Sequence, residues 1–156
     1  MINVTKQITE IKNRLIAAII NTPEIIEAMD VDPAEDVMYN HIFPTMRIPD
    51  TETEKKTYIC MKVDINVNTG KNTAVKSVSI MFMVLTHQDL QRVSKGIAKG
   101  NVRTDYISEQ LETLFNDAGI GIGQTKLVSN VEDNIDARHP CRFLRFDTHI
   151  SNQAYC

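Results

Sequence analysis

From Tyr58 to Val67 the apolar residues Ile59, Met61, Val63, Ile65 and Val67 alternate with Tyr58, Cys60, Lys62, Asp64 and Asn66. A period of two places one set on each face of an extended chain, so this stretch can bury one side only as a β-strand on a sheet. The turn-forming run Asn68-Thr69-Gly70-Lys71-Asn72 follows, and then a second strand from Val75 to Thr86. Two such runs around a short glycine-containing loop read as an antiparallel hairpin. Between Ile80 and Leu85 the second strand is apolar on both faces. That composition calls for cover on both sides, or for one face given to a partner.

The remaining elements follow from the change of period. Val4, Ile8, Ile11, Leu15, Ala18 and Ile19 form one stripe of a helix over 5–20, with Thr5 as N-cap and Asn21-Thr22-Pro23 as its stop. Thr22-Pro23 and Asp32-Pro33 each place a capping residue before a proline, predicting two short helical turns. Residues 40–56 read as an irregular connection, and 87–102 as a polar loop broken by Gly96 and Gly100. A second amphipathic helix is expected from Thr104 to Asp117, with Ile107, Leu111, Leu114 and Phe115 inward and Gly119 as terminator. Lys126–Val131 and Cys141–Ser151 complete the pattern as strands flanking the polar run EDNIDARHP. The order predicts an α+β fold, two main amphipathic helices on a mostly antiparallel sheet of about four strands, in a single domain over 1–156.

Composition narrows the functional classes. A formal charge of −3 argues against a strongly basic nucleic-acid binder. No apolar run approaches the roughly 18 residues of a membrane span, and MINVTKQITEIKNR lacks the order of a secretory signal. Cys60, Cys141 and Cys156 are widely spaced and odd in number, which fits reduced thiols in an intracellular setting.

Candidate chemistry is sparse. Gly119-Ile120-Gly121-Ile122-Gly123 follows a helix and precedes a strand, the reverse of a phosphate cradle, and reads as helix termination. His41, His87, His139 and His149 are scattered and read as single surface histidines, so neither a metal nor a cofactor is expected. Cys60 and Cys141 lie in strand patterns and read as small buried apolar groups. Pro49-Asp50 with Glu54-Lys55-Lys56 resembles the carboxylate–lysine set of metal-dependent nucleases, although four positions within a loop suit a solvated charged segment better.

One asymmetry stands out. Residues 24–36 hold six acids and no base, while 92–103 hold four bases and no acid. On one small domain these are candidate complementary faces between copies: Arg92, Lys95, Lys99 and Arg103 against Asp30, Asp32, Glu35 and Asp36.

The order of elements, with Arg103-Thr104-Asp105-Tyr106-Ile107 opening the second helix, Lys126-Leu127-Val128-Ser129-Asn130 and Arg142-Phe143-Leu144-Arg145-Phe146, resembles the tail-terminator and neck proteins of tailed bacteriophages. That resemblance implies a structural virion protein rather than an enzyme. It would form a ring of six copies at the head-proximal end of the tail, stop tail-tube growth and meet the tail-tube and neck proteins, with DNA at most passing through the lumen. Assembly would take place in the host cytoplasm. The alternatives are a metal-dependent nuclease using Asp50, Glu54 and Lys56, and a monomeric adaptor.

Overall fold

The structure is a computed structural model, and it describes residues 3–32, 36–46, 55–67, 75–117 and 124–151. Three helices, α1 (Val4–Ile20), α2 (Pro23–Ala28) and α3 (Arg103–Phe115), pack on one side of a sheet. The strands are β1 (Ile42–Phe43), β2 (Thr57–Asn66), β3 (Val75–Thr86), β4 (Lys126–Asp136) and β5 (His139–Ser151). Their spatial order is β1-β2-β3-β5-β4, antiparallel throughout except for the two-residue parallel pairing of β1 with β2. The fold is therefore α+β, with five strands instead of about four. No described helix is long and apolar enough to cross a membrane.

Helix α1 begins at Val4, one residue before the expected start. Asn3, not Thr5, is the N-cap, and its side-chain oxygen accepts from the Lys6 N–H at 3.0 Å. Thr22 precedes α2, but its hydroxyl donates back to the Ala18 carbonyl at 2.7 Å instead of capping forward. Pro33–Glu35 and the glycine run 119–123 lie outside the described residues. β1 falls within the stretch read as irregular; two residues are too few for any period to show.

The main core lies between sheet and helices. Ile59, Met61 and Val63 from β2, Ile80, Phe82 and Val84 from β3, and Leu144 and Phe146 from β5 face Leu15 and Ile19 of α1 and Ile107, Leu111 and Phe115 of α3. Phe82 stacks on Phe115 with ring centroids 5.2 Å apart, and Phe146 meets both rings edge-on. The other face of β3 has its own small core, where Met83 and Leu85 are buried with Phe43, Tyr58, Cys60 and Cys141. Met46 and Ile135 pack against it, so the double-faced apolarity of β3 is answered within the chain at this end.

The β4–β5 hairpin corrects the expected loop at 132–140. Both strands continue to a two-residue turn at Ala137-Arg138, with Glu132 opposite Arg142 and Asp136 opposite His139. The polar run misleads because β4 is an edge strand, exposed along most of its length, and so needs no apolar alternation.

Phe82 has no exposed surface and sits on the central strand between two rings. Phe82→Ala is expected to lower unfolding stability by about 3–5 kcal/mol through lost burial and a cavity, measured as a shifted urea midpoint at unchanged slope.

Candidate functional site

The acidic and basic segments meet within the chain. The loop from Gln91 to Val102 closes on itself, with Arg92 bridging Val102 and the Val93 N–H donating to the Asn101 carbonyl at 3.0 Å. It docks on α2. Lys95 pairs with Asp30 at 3.0 Å, and the Ile97 N–H donates to Glu27 Oε1 at 3.3 Å. Gly96 lies at φ +81°, and a Cβ there would collide with the Glu27 carboxylate. The left-handed conformation is what favours glycine here, since the collision falls on the flexible end of the Glu27 side chain.

Arg103 is the centre of this docking. It is buried, its Nε donates to the Leu90 carbonyl at 2.6 Å, and its Nη1 donates to the Ala28 carbonyl. Burial pulls its pKa down, and Asp30 pulls it back up. One guanidinium therefore ties α2, the turn at Gln88–Leu90 and the start of α3 together. Of the four bases expected at a subunit contact, Arg103 lies inside the chain, Lys95 pairs with the chain's own Asp30, and Arg92 and Lys99 are exposed. Asp32 and Asp36 are exposed, while Glu35 lies outside the described residues. Ile97, at the loop's tip between Lys95 and Lys99, is 84% exposed.

Three of the four histidines are buried, contrary to the surface reading: His41, His87 and His139. Only His149 is exposed. His87 and His139 meet edge to face at 5.2 Å. His87 Nδ1 accepts from the Asp89 N–H, and His139 Nδ1 lies 3.0 Å from Asp136 Oδ1. His139 Nε2 is buried with no hydrogen-bond partner among the described residues. Their polarity hid this from a reading of apolar periods; for His87 and His139 the signal was their position at the ends of β3 and β5, where they continue the alternation. Among the described residues no three His, Cys, Asp or Glu side chains converge as a metal site.

Cys60 and Cys141 are buried, as their strand positions suggested, and not joined in a disulfide, while Cys156 lies outside the described residues. Burial, with Asp133 opposite, pushes Cys141 up to about 11. At neutral pH it is a protonated packing group, not a nucleophile. Of the nuclease set, Asp50 and Glu54 lie outside the described residues, and Lys56 stands half-buried just before β2.

The family model for YomW matches residues 12–148, from the middle of α1 to near the end of β5. The chain belongs to the YomW family. No curated protein matches the chain. The family match spans the docked loop, Arg103, the histidine pair and the whole of β4.

Two outcomes follow from this geometry. Gly96→Ala is expected to cost about 1–2 kcal/mol from left-handed strain alone, seen as a lower melting temperature. Glu27→Ala in the same chain should return part of any further loss by removing the collision. The second concerns acid. The Arg138 N–H and the His139 ring hold the Asp136 carboxyl below its ordinary 3.8. A depressed carboxylate contributes stability above its unfolded pKa and loses it as pH falls through the folded value. Denaturant titrations should show Asp136→Asn losing less stability than the wild type below about pH 4.

Proposed function

We propose that the chain is a structural subunit of a phage virion, a tail-terminator or neck protein that works by assembling with copies of itself. The observation that carries this reading is β4, an eleven-residue strand at the edge of the sheet. It is exposed along most of its length, and Val128 and Val131 are both more than half exposed. A long exposed edge is a template for another chain unless something covers it. Arg92, Lys99 and the Ile97 tip add a second outward-facing surface on the connection from β3 to α3.

In this reading six copies close a ring at the head-proximal end of the tail. The ring ends growth of the tail tube and presents a face to the neck proteins, and DNA passes through its lumen. Contacts of this kind are heterologous, joining one patch to a different patch on the next copy, and they close when the rotation allows. Lys95 and Arg103 serve the fold of each subunit, so of the four bases of that segment Arg92 and Lys99 are left for contacts between copies.

Light scattering across protein concentration should find a species of six times the 17.7 kDa chain mass, and electron microscopy should show it as a ring. Arg92→Glu with Lys99→Glu should leave the chain folded and lower the salt concentration at which the ring dissociates. Each exposed pair is worth only about 0–1 kcal/mol, so apolar and backbone contacts carry the rest. A mass of one chain at every concentration and salt overturns the ring.

A further inference from the structure

The two edges of the sheet are open in different places. The Ile59 N–H donates outward to the His41 carbonyl at 2.7 Å, and β1 pairs only with Ile59 and Cys60. Backbone groups alternate sides along a strand, so Met61, Val63 and Ile65 direct their N–H and C=O groups to the same outer side. Among the described residues no strand pairs with them there.

At the other edge β4 is guarded, but not everywhere. Leu127 sends its N–H outward to the Asn116 side chain at 3.0 Å, and a register shift follows it. Asn134 is opposite Pro140, which has no N–H, so this pair is not hydrogen-bonded and Asn134 faces outward. Its own N–H is taken by Asp133 at 2.7 Å. Counting back along the ladder, Asn130 and Glu132 also face outward, between these two caps. The unguarded window of β4 is therefore Asn130–Glu132.

Direction, face and cover agree between the windows. Successive antiparallel pairings make β4 antiparallel to β2. A second copy placed beyond β4 in the same orientation thus offers its β2 in the antiparallel sense, with helix-bearing sides aligned. Met61 and Val63 are buried beneath the helical layer, where α1 packs on β2, whereas Asn130, Glu132 and Asn134 on the same side of β4 are exposed. Asn130 on that side donates to Glu112 of the chain's own α3 at 2.7 Å, so the α1 of the second copy would lie over Glu132 and Asn134. Charge agrees as well: β4 bears Glu132, Asp133 and Asp136 against Lys126, while α1 bears Lys6, Lys12 and Arg14 against Glu10. In each free chain Lys62 is more than half exposed and pairs with Asp64 on its own strand at 3.2 Å.

We infer that the window Asn130–Glu132 of β4 pairs antiparallel with Val63–Ile65 of β2 in a second copy of this chain, in the register that sets Asp133 across from Lys62. In this register Asn130 exchanges backbone hydrogen bonds with Ile65, and Glu132 with Val63. The contact joins unlike edges, so it propagates head to tail and extends the sheet from copy to copy. This inference rests on the ring reading and names the surfaces that build it.

The test is charge exchange, read by light scattering and sedimentation. Lys62→Glu and Asp133→Lys each place like charges across the seam, and each should raise the protein concentration for half-assembly about tenfold or more. The double variant should regain wild-type assembly, and an equimolar mixture of the two single variants should co-assemble, because every seam then pairs Lys with Asp or Glu. Circular dichroism shows that each variant is folded. Wild-type assembly by both single variants, or a double variant no better than either, overturns this seam and leaves the ring standing. A wild-type chain that never exceeds one copy overturns both.

Discussion

The stack of Phe82 on Phe115, closed edge-on by Phe146, is the contact on which the remaining architecture depends. It joins the central strand β3, its neighbour β5 and the end of α3, three elements far apart in sequence, in one dry contact. Aromatic pairs in such geometry contribute about 0.5–1.5 kcal/mol beyond their burial. Once α3 is fixed there, its first residue, Arg103, lies where the guanidinium reaches the end of α2 and the turn after β3. The docked loop is thus a consequence of core packing. A buried arginine is tolerable because two carbonyls accept from it and Asp30 lies close enough to oppose the shift that burial imposes.

The sheet's second face follows a different logic. Among the described residues only one end is closed, by Phe43, Tyr58, Met83, Leu85 and Cys141. Further along, Lys62, Asp64, Arg145 and Asp147 occupy that face as exposed or half-exposed ion pairs within single strands. Pairs of this kind add little stability. They keep an uncovered face wet, and they leave the strand edges, not the face, as the places where backbone groups remain unpaired among the described residues.

How much of this was legible in the sequence depended on what buried each residue. The period of α1 and the limits of β3 were readable because apolar side chains there meet one continuous layer. The outer half of β4 was not, since Glu132, Asp133 and Asn134 belong to a strand with no cover to demand apolar residues. The buried histidines escaped for the complementary reason: polar atoms of His41, His87 and His139 are accommodated by particular hydrogen bonds or ring contacts, which a hydrophobic pattern does not encode. The charge asymmetry between 24–36 and 92–103 was visible, but Lys95 and Arg103 make their contacts inside one copy. Composition reports that opposite charges exist in a chain; only geometry decides whether they meet within it.

That distinction changes which forces an assembly of this chain can use. With Lys95 and Arg103 engaged internally, and exposed pairs worth at most about 1 kcal/mol, charge can select register and direction but cannot hold copies together. Backbone hydrogen bonds across a strand edge can, provided the edge is uncapped and its flanking side chains are dry. β2 meets both conditions below Cys60, where Met61 and Val63 are already buried and their backbone groups face outward. β4 meets the first only over Asn130–Glu132, because Asn116 and Asp133 cap the residues on either side. A capped edge with one short gap resists indiscriminate strand addition and still admits a partner of the correct register. The acids beside that gap then act as a filter, opposing a second β4, which would bring Glu132 and Asp133 against their own copies, and favouring the lysine-bearing edge of β2.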